Sequence, residues 1–259
     1  MSDLSVIQYV LIALIFVWSG FVRSGLGFGG AVLSLPFLLL VLDQPLVFLP
    51  IISIHLLVFS SLTIWMNNRK SRTSIEGAQH AGTVDWHYLG RMLSILIVPK
   101  LIGVFGLITL PGHILSAIIF VIVGLYSVSY IVNKPFRSGS KAVDAVFLML
   151  GGYISGTSLI GAPLIIAVAA QHLPKEKLRD TLFALWFILV MIKLGAFVWA
   201  GVDLQLIHHV WLLPAAAIGH VIGLYVHDRM LHAETSLFYR VLGTILLVVS
   251  SIGLVTVWM

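Results

Sequence analysis

Gly20-Phe21-Val22-Arg23-Ser24-Gly25-Leu26-Gly27-Phe28-Gly29-Gly30-Ala31-Val32-Leu33 decides the fold together with a counterpart, Gly151-Gly152-Tyr153-Ile154-Ser155-Gly156-Thr157-Ser158-Leu159-Ile160-Gly161-Ala162-Pro163-Leu164. A shift of 131 residues carries Gly20 onto Gly151, Ser24 onto Ser155, Gly25 onto Gly156, Gly30 onto Gly161, Ala31 onto Ala162 and Leu33 onto Leu164. The flanking stretches 4–42 and 143–173 are apolar. Each is too long for one spanning helix of roughly 20 residues and too short for two comfortable ones. Each is interrupted by glycine in its middle, which predicts a broken helical hairpin that returns to its starting side. Glycine-mediated close packing alone would also use such residues, but two clusters in register favour the breaks.

Outward from these stretches, six apolar runs read as spanning helices: 45–66, 90–109, 113–132, 178–200, 206–227 and 237–258. Apolar residues make up 59% of the 259 residues and charged residues only 10%. Mean hydropathy is +1.08. A soluble domain is about 45–50% apolar and about 25% charged. That contrast excludes an ordinary soluble enzyme, a nucleic-acid-binding domain and a disordered chain, and leaves a multi-pass protein of the cell membrane with the lipid bilayer as its partner. There is no cysteine, so disulfides and thiolate metal sites are excluded. No histidine pair with a nearby acid has the spacing of a zinc site, and no cofactor is implied. Met1-Ser2-Asp3 carries no basic n-region, so the run from Leu4 to Phe21 is expected to be a retained membrane segment.

Charge orients the chain. Arg69, Lys70 and Arg72, then Lys134, Arg137 and Lys141, then Lys175, Lys177 and Arg179, then Arg229 and Arg240, all fall in or beside polar connections. Asp43-Gln44, Pro111-Gly112 and 201–205 contain no Lys or Arg. The positive-inside rule puts 67–87, 133–142, 174–180 and 227–236 in the cytoplasm and both termini outside. Trp65, Trp86, Trp199, Trp211 and Trp258 fall near span ends, as interfacial tryptophans do. The two copies of the repeat then have opposite orientations. The expected architecture is all-α: a polytopic membrane protein built as an inverted repeat of two halves, each a glycine-broken helical hairpin plus three transmembrane helices. The halves are 1–132 and 143–259, joined by a cytoplasmic linker over 133–142. Inverted repeats with broken helices are the pattern of secondary transporters, whose site lies where the breaks meet near the midplane.

The motif Gly25-Leu26-Gly27-Phe28-Gly29-Gly30-Ala31, followed by Leu35-Pro36, resembles the first-half signature of the TauE/SafE sulfite exporter family. Ser155-Gly156-Thr157-Ser158-Leu159-Ile160-Gly161-Ala162-Pro163 resembles its second-half signature, with Ser158 and Ile160 where the family often has glycine and with Arg23 beside the first motif. The resemblance covers nearly the whole chain. It implies a small-anion substrate such as sulfite, sulfoacetate or a related organosulfonate, commonly exported.

The residues themselves point to an anion. A broken helix exposes N–H donors and a positive dipole end at the start of its second piece. Pro163 suits the first turn of a helix over 163–172. Gly25, Gly27, Gly29, Gly30, Gly156 and Gly161 allow close backbone approach, and the hydroxyls of Ser24, Ser155, Thr157 and Ser158 can cap the break or donate to an oxyanion. Twelve of the fifteen Lys and Arg residues belong to the polar connections or their edges; Arg23, Lys100 and Lys193 do not. No acid occupies a span interior, so these cations are expected to serve an anionic ligand rather than an ion pair. Snorkelling to an interface is the plainer alternative. His55 and His220 are mid-span and can carry a proton as coupling ion or bond a neighbouring helix. A small-anion channel is the nearest rival, since cations would line its path too. An intramembrane hydrolase at Ser155 is remote: no base has an evident spacing to that serine, and His172 lies seventeen residues on. A lipid-facing scaffold would not require embedded cations.

Overall fold

A computed structural model describes residues 4–26, 29–73, 83–134, 139–232 and 236–258. Those residues form ten α-helices: α1 (Val6–Leu26), α2 (Leu35–Val41), α3 (Pro45–Thr73), α4 (Trp86–Thr109), α5 (Gly112–Ile131), α6 (Lys141–Ser158), α7 (Ala162–His172), α8 (Lys175–Trp199), α9 (His209–His232) and α10 (Ser236–Val257). No strand occurs among them. All six expected spans are helical. Seven helices, α1, α3, α4, α5, α8, α9 and α10, are long and apolar enough to cross a membrane.

The seventh corrects the reading of 4–42. Its break is not central, because α1 runs 21 residues before the chain turns. Two rungs show that both stretches nevertheless return to their starting level. Gln8 Nε2 donates to the Val41 carbonyl at 3.1 Å, and His172 Nε2 lies 2.9 Å from Asp144 Oδ2. Helix also extends past the apolar spans: α3 continues to Thr73, α8 begins at Lys175 and α9 ends at His232, so parts of the polar connections are helical. Residues 74–82, 135–138 and 233–235 of those connections lie outside the described residues.

Glycines set the packing. In α9 a side chain at Gly219 would run into the Val17 carbonyl oxygen and reach 2.8 Å from Phe21 N, and one at Gly223 would meet Phe21 O, Gly25 N and Ser24 Cβ. Residue numbers on α1 and α9 rise together, so these helices run parallel. In the other half, Gly152 abuts Leu96, and Gly156 abuts Lys100 O and Gly103, so α4 and α6 run parallel too. By contrast α5 and α10 are antiparallel, Gly253 against Phe120 and Gly243 against Ser127 and Tyr130. The antiparallel pair α3 and α8 is tied at one end by Asn67 Nδ2, which donates to Asp180 Oδ1 at 2.7 Å. Without a hydrophobic drive between helices in lipid, such close small-residue crossings supply the association. Trp65, Trp86, Trp199 and Trp258 are exposed on the outer surface, where interfacial tryptophans belong.

Candidate functional site

The first break lies between α1 and α2, with a turn over residues 30–34. Non-helical backbone at membrane depth must find internal partners, and α1 supplies them. Trp18 Nε1 donates to the Leu33 carbonyl at 3.1 Å and Ser19 Oγ to the Gly30 carbonyl at 3.2 Å. Ser34 Oγ also donates to Gly30 O. Gly29 has φ +84, a backbone that side chains rarely tolerate.

The second break is built differently. Its left-handed residue is Leu159, at φ 63, an uncommon conformation for a bulky non-glycine residue. Pro163 takes the first turn of α7, as its missing N–H allows. No side chain caps that helix. The hydroxyls of Thr157 and Ser158 instead donate back to the Ile154 carbonyl, at 3.0 and 2.9 Å.

Both breaks line one small cavity of about 40 Å3, against the roughly 10–15 Å3 that one water needs by this measure. The first contributes Arg23, Gly29, Gly30 and Ala31; the second contributes Ser155, Leu159 and Ala162. Ser60 of α3 and Trp186 of α8 are among the wall residues. Arg23 is 5% exposed, and its Nε and Nη2 have no hydrogen-bond partner. Its guanidinium lies over the Phe59 ring, 4.8 Å from the centroid. Ser60 Oγ is likewise buried without a partner. The one buried acid among the described residues, Asp180, is bonded by Asn67 and is not part of the lining. Unpartnered buried donors are costly unless something accepts from them.

The other expected site residues are distributed around this cavity. Lys100 is fully buried, but it has a partner the sequence reading did not foresee. Its Nζ donates to the Ser155 carbonyl at 2.9 Å and to Ser155 Oγ at 3.1 Å. That carbonyl also accepts from Leu159 N at 3.3 Å, so the ammonium takes its second lone pair, at the negative dipole end of a broken helix. Lys193 is also fully buried; its Nζ has no hydrogen-bond partner, and it lies within electrostatic range of Lys100. Ser24 Oγ is hydrogen-bonded to His220 Nδ1 across the α1–α9 crossing. His55 packs edge-on against Phe16 and Phe59 and contacts the His209 ring. Gly25 and Gly156 belong to the two parallel crossings, and Gly161 abuts Gly151 between α6 and α7. Gly27 lies outside the described residues. Ser19, Phe59, Ser60 and Trp186 were not anticipated. Phe59 had a signal: it lies four residues after His55, one turn along the same face of α3.

The two crossings match in chemistry. On α4, Lys100 bonds Ser155 and Gly103 abuts Gly156 three residues later. On α9, His220 bonds Ser24 and Gly223 abuts Gly25 three residues later. Ser24 and Ser155, like Gly25 and Gly156, are equivalents in the sequence repeat. Lys100 is thus the side chain beside Ser155 that spacing along the sequence did not reveal, and it donates to that hydroxyl. Its ammonium is shared with that residue's own carbonyl, and the same plan recurs with histidine, so the pairing reads as anchoring of the helix break rather than nucleophile activation.

This difference between the lysines gives an expected result. Lys100→Met should lower thermal stability in detergent, by about 1.5–3 kcal/mol for a lost hydrogen bond to a charged group. Lys193→Met should raise it, since an unpartnered buried cation disappears. Melting curves of the two purified variants decide the point; equal shifts in the same direction would contradict the assignment.

Broken hairpins returning to their starting level, a set of membrane-length helices and a cavity shared by the breaks fit a multi-pass membrane protein. The family model described as Sulfite exporter TauE/SafE matches residues 11–252. The chain belongs to that family, whose members are membrane transporters of small anions and not enzymes. Searches of curated proteins and of solved structures found no match.

Proposed function

We propose that the protein moves a small oxyanion, sulfite or an organosulfonate, across the cell membrane in the export direction by alternating access at the cavity between the breaks. The observation that carries this reading is Arg23: a buried guanidinium with two unpartnered nitrogens, facing a cavity that both helix breaks line. Sulfite and sulfonates present several acceptor oxygens, which suit a guanidinium fork, the orphan hydroxyl of Ser60 and close glycine backbone. Ser155, Gly29 and Gly30 join the same wall. Ser24, Lys100 and His220 hold the breaks in place, and Lys193 adds positive charge along the path.

The inverted repeat of 1–132 and 143–259 is part of the proposal. It is supported by the exchange of partners between halves: α1 packs on α9 as α6 packs on α4, both parallel, while α3–α8 and α5–α10 are antiparallel, as a two-fold axis in the membrane plane would relate them. Such an axis lets one half rock against the other around a fixed site.

The test is transport by the purified protein in liposomes. Sulfite and methanesulfonate loaded inside should exchange with labelled anion outside, and unlabelled anion on one side should drive uphill counterflow from the other. Counterflow is the signature of a carrier. Anion current without counterflow would replace the carrier with a channel, and no anion movement at all would remove the assignment of substrate.

A further inference from the structure

We propose that a proton accompanies the exported anion and leaves the cavity through His55 and His209; this rests on the anion-transport reading above. The route ends where α9 begins. His208 and His209 are half-buried there, and the Asp203 carboxylate acts electrostatically on His208. The His209 ring centroid is 5.1 Å from that of His55. His55 is 1% exposed and neither of its ring nitrogens has a hydrogen-bond partner; His209 Nδ1 is also buried and unpartnered. His209 Nε2 donates to the Leu204 carbonyl at 3.4 Å, which leaves Nδ1 as its open position. His55, in contact with that ring, bonds no carbonyl or hydroxyl at either nitrogen. Ile52 and Leu56, which flank His55 on α3, line the cavity, and Phe59, one turn on, is the ring beneath Arg23.

The charged and titratable groups acting on His55 are Arg23 from α1 and His209 from α9, with no carboxylate among them. Those acting on His209 include His208, and those acting on His220, across Phe59, are Arg23 and Arg179. A proton on His55 in the empty site would therefore stand beside an uncompensated guanidinium. An anion on Arg23 supplies the missing counter-charge. Anion and proton each make the other's binding easier, and by linkage the effect is reciprocal, typically about 5- to 150-fold.

The transfer is balanced. His55 takes a proton from water in the cavity and carries the charge while the anion is bound. As the anion leaves on the outer side, His55 gives that proton to the open Nδ1 of His209, which loses it to water at the Asp203 end, and both rings are neutral again. Each cycle moves the anion's negative charge reduced by one unit.

The probe must not carry protons itself, so methanesulfonate and isethionate, both anions of strong acids, are used in liposomes enclosing a pH dye. In the wild-type protein, sulfonate entry should acidify the lumen in step with anion uptake. His55→Gln and His209→Gln should weaken or abolish the acidification while sulfonate counterflow persists. In detergent, the affinity for methanesulfonate should be about 5- to 150-fold higher near pH 5 than near pH 8, and flat in His55→Gln. Sulfonate uptake by the wild type with no lumenal pH change would overturn the coupling and leave the transport reading standing. Absence of any sulfonate movement would overturn both. Because wild-type stoichiometry is decisive alone, a misfolded histidine variant does not blunt the test.

Discussion

Replacing Gly219 with valine is expected to prevent assembly of the native bundle. The added atoms would be driven into the Val17 carbonyl oxygen and against Phe21 N of α1. Overpacking usually costs about 1–3 kcal/mol, because a flexible side chain can give way. Backbone of a parallel neighbouring helix cannot, so α1 and α9 must move apart along their whole contact. That would also pull Ser24 from His220 and open the wall that carries Arg23. Size-exclusion profiles and thermal unfolding in detergent should show loss of the monodisperse species or a fall of many degrees. Gly90 and Gly195 provide the contrast, since nothing lies within 4 Å of a side chain at either position. Alanine there should be neutral or slightly stabilising. A Gly219→Val protein that melts like wild type would show that the crossing is looser than its geometry indicates.

Arg23→Gln should abolish high-affinity anion binding while leaving the protein folded. A charge-assisted hydrogen bond contributes about 1.5–3 kcal/mol, so affinity for sulfite or methanesulfonate should fall about 10- to 150-fold. The opposing change in stability has two parts: loss of the contact with Phe59, worth about 0.5–2 kcal/mol, and relief of an unpaired buried cation. Arg23→Lys should bind with intermediate affinity, because it keeps the charge and loses the planar fork. Calorimetric titration of the three proteins separates these cases. Wild-type affinity in the glutamine variant would mean that Arg23 belongs to packing and that the anion binds elsewhere.

The sequence was most informative where solvent imposes length and composition. Spans such as 113–132 are long apolar runs, and α5 covers nearly the same residues. The breaks were legible because glycine clusters recur at one fixed shift. Their internal construction was not, since Leu159 in a left-handed conformation has no compositional sign. Composition also does not separate a glycine at a break from one at a crossing: Gly20, the first aligned by the repeat, lies inside α1 against α9. For the site, searching for acids among the spans correctly found none, yet it left Lys100 without a partner. A backbone carbonyl near the end of a broken helix, with a second lone pair to offer, can fill that role, and no residue type announces it. Ser24 and His220 are 196 positions apart, and a single sequence carries no signal for which distant helices become neighbours.

The parallel pairing of α1 with α9 bears on how the chain is made. These partners are separated by about 200 residues, so at synthesis rates of about 5–20 residues per second α1 waits on the order of 10–40 s for the helix that covers it. During that interval its glycine face has no neighbour and Ser24 no histidine. Helices α4 and α6 are separated by far less chain and can join early, which places the second hairpin before the first is enclosed. Of the ten helices described, α1 is therefore the first made and among the last to be secured. Until then, the nascent protein depends on the insertion machinery to shelter an arginine in lipid.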